Sequence, residues 1–323
     1  MKRRRLRPED YTVGWVCALP IELAAATIML DEEHKDFPQD NSDDNLYTLG
    51  RISEHNIVIA CLPAGQTGTN SAASVANRMK SKFSSIRFGL LVGVGGGVPS
   101  AEPNIRLGDV VVSQPLLGHG GVVQYDFGKT TPNGFERTGF LNTPPTILLE
   151  ALTKVQANRY GGISSLTRYL SIFSNLPGFA RSDTGPDILF ESSYNHIGGH
   201  TCERCSKDRL LVRTSRGGEE ITVHYGTIAS GNQVIRDGLQ RDRLSSELGN
   251  ILCFEMEAAG LMNSFPCLVI RGICDYADSH KNKKWQPSAA ATAAACAKEI
   301  LSVIPAAKVA TTRTVDEAAM HVR

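Results

Sequence analysis

The chain carries no excess of charge of one sign. Lys plus Arg number 34 and Asp plus Glu 33 among 323 residues, so no global field favours nucleic acid or a membrane surface. No apolar run approaches the length that spans a bilayer. The basic start Met1-Lys2-Arg3-Arg4-Arg5 is followed by no apolar stretch, so no secretory signal is read and residues 1–10 are expected to be a solvated tail. No internal repeat is present, which excludes solenoid architectures. Cysteine is present, but in no framework pattern. Cys17, Cys61, Cys253, Cys267, Cys274 and Cys296 lie in apolar surroundings, and only Cys202 and Cys205 are closely spaced. That usage suits reduced thiols in the cytoplasm better than a disulfide scaffold.

The length allows one large domain or two small ones. Apolar segments at 11–19, 47–52, 56–62, 88–94, 107–113, 224–231 and 266–274 read as strands. Helical segments are expected over 71–82, 143–158, 232–247 and 289–303, and after Pro20, which suits a first helical turn. This alternation predicts an α/β fold, a mostly parallel sheet covered by helices on both faces. The domain is placed at 11–305. Residues 160–220, rich in Ser, Gly, Arg and Asp, read as an irregular insertion, and 306–323 as a frayed polar tail.

Chemistry is sought first among carboxylates in apolar segments, because a buried charge is costly unless paired or used. Glu255 and Glu257 sit two apart in Phe254-Glu255-Met256-Glu257-Ala258-Ala259-Gly260. On a strand such residues face one side and line one pocket; the plainer alternative is an ion pair with Arg271. The strand 266–274 delivers Asp275 at its carboxyl end, where open α/β sheets place ligands. Asp275 as a turn cap is the alternative, although Asp278 is already placed to cap the next segment. Glu22 stands in the first turn after the first strand, either as a helix-dipole carboxylate or as a base. Gly93-Val94-Gly95-Gly96-Gly97 is either a phosphate cradle or a tight turn with close backbone approach. The Gly-Lys-Ser/Thr ending of a P-loop is missing.

His196, His200, Cys202 and Cys205 offer four possible zinc ligands in the spacing His-x3-His-x-Cys-x2-Cys. The spacing is tighter than in most zinc knuckles, so free thiols or a local disulfide remain the alternatives.

Five segments, in order, resemble the nucleoside phosphorylase and methylthioadenosine/adenosylhomocysteine nucleosidase superfamily: Ala18 to Glu22, Gly93 to Val98, Leu107 to Ser113, Glu255 to Ala258, and Arg271 to Asp278. The likeness covers residues 11–130 and 224–303. The C-terminal half looks closer still to the nucleosidase-like domains at the N-termini of fungal NOD-like receptors, whose relatives include ATP nucleosidases of antiviral defence. The resemblance implies a central mixed sheet that curls toward a barrel, no cofactor, and a homo-oligomer, a dimer first. It also implies cleavage of a purine N-glycosidic bond. Asp275 would protonate the purine N7, Glu22 would activate water, and Glu257 would hold the ribose hydroxyls over Met256. Glu255, Asn232, Gly96 and Gly97 would complete the ribose and base site.

Phosphorolytic relatives hold phosphate with arginines after the first strand and before the glycine run. Here no Arg occurs from Pro20 to Leu30 or in Leu90-Leu91-Val92, and a phosphate dianion without cations is poorly held. Water is therefore the expected nucleophile, and a phosphorylase or a non-catalytic nucleotide sensor the alternatives. Keeping Glu22, Glu257 and Asp275 together argues against the sensor. The expected partner is a small adenine nucleotide or nucleoside, ATP first and adenosine second. Arg236, Arg241, Arg243, His119 and Lys129 are the candidates for its phosphates, with ordinary surface charge as their alternative reading.

Overall fold

A computed structural model describes residues 3–37, 43–100, 102–216 and 221–320. Thirteen strands are assigned among them: β1 Val13–Cys17, β2 Glu32–Glu33, β3 Tyr47–Ile52, β4 His55–Cys61, β5 Phe88–Gly97, β6 Val110–Ser113, β7 Val122–Gln124, β8 Gly128–Thr131, β9 Gly134–Arg137, β10 Val223–Gly226, β11 Ile228–Ser230, β12 Cys253–Glu255 and β13 Cys267–Asp275. The α-helices are α1 Pro20–Ile28, α2 Thr69–Lys82, α3 Thr146–Tyr160, α4 Leu166–Leu170, α5 Gly238–Glu247, α6 Gln286–Ser302, α7 Ala306–Thr311 and α8 Val315–Met320.

The apolar strands β1, β4, β5 and β13 run parallel at the centre of one mixed sheet. Period-two alternation sends successive β1 side chains to opposite faces. Val13, Trp15 and Cys17 join a core under α1, α3 and α6, while Val16 joins a second core under α2. The sheet is thus covered on both faces. Antiparallel β3 extends one side beyond β4. On the other side β13 pairs with β6 antiparallel, and β6 with β10 parallel. Only Thr227 separates β10 from β11; β11 pairs with β12, and β12 returns to the far end of β5. That path curls the sheet back on itself.

Helix α6 lies so close to β13 that a Cβ on Gly272 would strike the Ala289 carbonyl. Its run of alanines permits this approach. Within residues 160–220 the described backbone is mostly irregular, with α4 and short 3-10 turns.

Some element boundaries differ from expectation. The glycine run does not turn: β5 continues through Gly97, pairing with β13 and β12. Helix α5 starts at Gly238, where Asp237 caps the Leu239 and Gln240 N–H groups, so residues 232–237 are loop. Residues 306–320 form α7 and α8, and the buried Val309 and Val315 anchor them. No helix among the described residues is long and apolar enough to cross a membrane.

Candidate active site

The carboxyl ends of parallel β1, β5 and β13 meet the end of β12 around one cavity of about 250 Å³. Its lining includes Leu19, Glu22, Val94, Gly96, Met256, Glu257, Arg271, Asp275 and Lys281. A larger groove, about 970 Å³, runs beside α3, α4 and α6, but its lining residues include no carboxylate. Acid–base chemistry belongs to the smaller cavity.

Pro20 starts α1, and Glu22 folds back over that start. Its Oε2 accepts the Ala18 and Leu19 N–H groups at 2.7 and 3.0 Å, and its Oε1 accepts the Val94 N–H at 2.8 Å. Three backbone donors and the Arg271 charge favour the carboxylate. Burial outweighs them and holds its pKa above the ordinary range. A carboxylate in this state is both oriented and reluctant to stay charged.

Glycines let β5 come this close. A Cβ on Gly93 would collide with the Glu22 carboxylate and the Arg271 guanidinium, and one on Gly96 would lie 2.8 Å from Asp275 Oδ1. No positive φ is needed in this run; the requirement is space.

Arg271 is buried and faces both acidic residues of the 254–260 segment. Its Nη2 pairs with Glu255 and lies 3.2 Å from Glu257 Oε2. Glu255 also accepts the N–H groups of Glu257 and Ala258, each at 3.0 Å. Its carboxylate is therefore spent inside the protein, holding Arg271 and the turn after β12. Glu257 does not share a strand face with Glu255, because β12 ends at Glu255 and Glu257 sits in the turn. It accepts the Gly68 N–H at 3.2 Å. Burial pushes its pKa up to about 7 against the pull of Arg271.

Asp275 ends β13. Its Oδ1 accepts the Ala277 N–H at 2.9 Å and faces Lys281 Nζ at 2.8 Å. Its Oδ2 meets only the Cys274 thiol, at 3.4 Å, among the described residues. The turn-cap reading and the cavity reading thus both hold for this residue.

Glu22, Glu257, Asp275, Met256, Glu255 and Gly96 all line the cavity. Gly97 and Asn232 do not. Gly97 pairs with Cys253. Asn232 is used in packing: its side-chain oxygen accepts the Thr69 N–H at 3.0 Å, and its own N–H donates to Asp126 at 2.6 Å.

None of the five cations expected at a phosphate lines the cavity. Arg241 is buried against Asp242, the Tyr276 carbonyl and Ser192. Arg243 pairs with Glu247 on the surface, and Arg236 is exposed. His119 bonds the Leu248 carbonyl, and Lys129 stands on the exposed β8–β9 hairpin. Lys281 is the cation that sequence reasoning missed. It sits in a Lys-rich loop that reads as solvated charge, and nothing local announces that the loop turns back on Asp275. His196, Cys202 and Cys205 gather outside the cavity lining, while His200 is exposed and apart from them.

The model of the phosphorylase superfamily matches residues 178–302. A nucleotide-binding leucine-rich repeat (NLR)-like protein of Hyaloscypha variabilis is 49% identical over 307 residues, which cover 94% of this chain and 30% of that protein. A 5'-methylthioadenosine/S-adenosylhomocysteine nucleosidase of Mycobacterium bovis is 26% identical over 300 residues, 91% of this chain and 97% of that one. The ATP nucleosidase Cap17 of Escherichia coli is 24% identical over 284 residues, 86% of this chain and 48% of that one. The chain thus spans about a third of the NLR-like protein and half of Cap17. Among solved structures, a Borrelia burgdorferi protein described as a putative 5'-methylthioadenosine/S-adenosylhomocysteine nucleosidase, bound to adenine, superposes with a TM-score of 0.61 at 16% identity, covering 91% of this chain and all of that one. The fold and the ordered segments agree with these likenesses: the chain is similar to the phosphorylase superfamily over residues 178–302 and to a nucleosidase over most of its length.

Proposed function

We propose that the chain is a purine N-ribohydrolase that releases adenine from a nucleoside or nucleotide. The observation that carries the reading is the convergence of Glu22, Glu257 and Asp275 on one cavity at the ends of three different strands. C–N cleavage passes through an oxocarbenium-like ribosyl cation and needs an acid at the base, a carboxylate at the sugar and a positioned nucleophile. Asp275 protonates the purine N7 through Oδ2, the oxygen not engaged by Ala277 and Lys281. Glu257 accepts the ribose hydroxyls and faces the cation with negative charge. Glu22 takes the proton of the attacking water.

Water is favoured over phosphate by the cavity's charges. Arg271 and Lys281 are the cations of its lining, and each already faces a carboxylate. A phosphate dianion would have to displace one of them.

ATP is the first substrate in this reading, on the likeness to Cap17. A second reading, a nucleoside without phosphates, is favoured by the cavity itself. Its volume of about 250 Å³ lies below the ~300–1,000 Å³ of most ligand pockets, and its cations are paired. The test is product chromatography with adenosine, AMP and ATP, with and without inorganic phosphate, followed by kcat/KM for each. Adenine release independent of phosphate supports hydrolysis. A strict phosphate requirement makes the protein a phosphorylase, and no release from any substrate leaves a binding module. A fall in kcat/KM from adenosine to ATP selects the nucleoside reading.

A further inference from the structure

We propose that His196, Cys202, Cys205 and His280 bind one zinc ion, which clips the 160–220 insertion to the loop that follows Asp275. This site does not depend on the proposed reaction.

Ligand atoms of His196, Cys202 and Cys205 lie within 4.8 Å of one another. The fourth ligand is not the sequence neighbour His200 but a residue 75 positions beyond Cys205. His280 Nδ1 lies 3.6 Å from the Cys202 sulfur and 3.9 Å from the Cys205 sulfur. Zinc–sulfur bonds of about 2.3 Å and zinc–nitrogen bonds of about 2.0 Å put the ligand atoms of a tetrahedron roughly 3.5–3.8 Å apart. The two His280–sulfur distances are those of tetrahedral edges, and the other three ligand atoms lie close enough to draw in around one ion.

The surroundings suit a metal. His280 Nε2 donates to the Tyr194 carbonyl at 2.9 Å, which fixes the tautomer and leaves Nδ1 as a lone pair aimed at the sulfurs. The ring stacks on Phe190 with centroids 4.1 Å apart, so it cannot swing away freely. Cys202 and Cys205 flank a 3-10 turn closed by the Cys205 N–H on the Cys202 carbonyl, at 3.1 Å. This presents both thiols on one side of a short chelate loop. His196 packs edge-on against His280, and its N–H donates to Ser279 Oγ at 2.9 Å. On binding, one of its ring nitrogens exchanges its bond to Gly198 or Thr201 for the metal. Two thiolates and two neutral imidazoles make a closed structural set with no position left for water.

The consequence reaches the cavity. Lys281, the residue after His280, contacts Asp275. The insertion supplies three ligands and this loop the fourth, so the ion would hold the cavity wall that carries Lys281.

The test uses the 323-residue chain purified without a metal column. Chelator-stripped, reduced protein is titrated with zinc alone and the metal is counted by mass spectrometry. About one zinc per chain is expected, falling below about a tenth in Cys205→Ser and His280→Ala but unchanged in His200→Ala. Cobalt in place of zinc should show thiolate charge-transfer absorption and the visible bands of tetrahedral coordination. This readout uses the wild-type chain and so does not depend on the variants folding. Wild-type protein that takes up no zinc, a cobalt spectrum without thiolate bands, or full zinc retention in folded His280→Ala would each overturn the proposal.

Discussion

Lys281 Nζ rests 2.8 Å from Asp275 Oδ1. The pair has a direct consequence for the acid role proposed for Asp275. Once the proton is on the base, Asp275 is an anion, and the adjacent ammonium stabilises that product of the transfer. Asp275→Asn keeps the shape and removes the proton. Turnover should fall by about 10³-fold or more, within the range for a lost general acid, while ligand affinity changes little. Lys281→Met should cost less, on the order of 10–100-fold in kcat. Steady-state kinetics with a binding measurement on both variants decides this, and an unchanged kcat in Asp275→Asn removes Asp275 from the acid role.

Glu22 is tied to backbone donors on both oxygens, so its substitution carries two costs. In Glu22→Gln the amide nitrogen must face either Val94 or the Ala18 and Leu19 donors. A buried donor then loses its acceptor, at about 1–3 kcal/mol. In the proposed reaction turnover should also drop, by about 10²–10⁴-fold, because the group proposed as the base is gone. Urea unfolding separates the two effects. A variant that is destabilised but keeps wild-type kcat at low denaturant would show Glu22 to be purely structural.

Much of this was readable from residue order. The apolar runs that form β1, β4, β5 and β13 announced a parallel core, and the ends of those runs pointed to Glu22 and Asp275. What failed has identifiable physical reasons. Gly93 to Gly97 reads as a phosphate cradle or as a tight turn with close backbone approach, because glycine is the usual turn residue; the turn is absent, but the close approach holds, since Glu22, Arg271 and Asp275 press on β5. Arg271 was legible only as one alternative, since its pairing with Glu255 and Glu257 depends on β12 folding over β5. Asn232 was expected at the ligand and is consumed in joining α2 to the Asp126 loop. Lys281 and His280 were invisible, because their partners are brought to them by the chain reversal after β13.

The two raised carboxyl groups set a pH dependence with a definite sign. Glu257 titrates at about 7 in the folded protein, and Glu22 is shifted in the same direction. Both must be ionised in the proposed reaction, so kcat/KM should climb as pH rises through about 7. Stability runs the other way. A carboxyl whose folded pKa exceeds its unfolded value of 4.5 favours the folded state fully below that value and loses the contribution as pH rises through about 7. Glu257→Gln should flatten the decline in Tm between about pH 4 and about pH 8, a window bracketing the two values. A Tm profile identical to wild type would show that Glu257 is not the titrating group.

Gly96→Ala tests the spacing of the site without replacing a charged residue. The added Cβ would stand 2.8 Å from Asp275 Oδ1 and 3.0 Å from the Ala277 Cβ. Asp275 is the last residue of β13 and its side chain can yield, so the chain should still fold. The displaced carboxylate should lower kcat by on the order of 10²-fold, as a misplacement of about 1 Å does. Gly272→Ala is the contrast. Its Cβ meets the backbone of α6, which cannot yield, so loss of soluble protein is expected there. Wild-type turnover in Gly96→Ala would mean that Asp275 has more room than the packing allows.

Arg271 is the residue on which the acidic cluster depends for stability. It faces Glu255 and Glu257 directly, and Glu22 lies close enough for its charge to act on the guanidinium. Three carboxyl groups are thus buried around one cation. Arg271→Met fills similar volume but removes the only positive charge facing Glu255 among the described ion pairs. Removing one partner of a buried pair typically costs about 3–5 kcal/mol. The remaining charges can relieve themselves only by binding protons. The variant should therefore be strongly destabilised at neutral pH and partly rescued at lower pH, where the carboxyls become neutral. The double variant Arg271→Met/Glu255→Gln should recover part of the loss at pH 7, since it removes the charge left without a partner. Urea midpoints at two pH values for the three proteins measure this, and a single variant whose instability does not change with pH would mean that packing, not charge, is what Arg271 supplies.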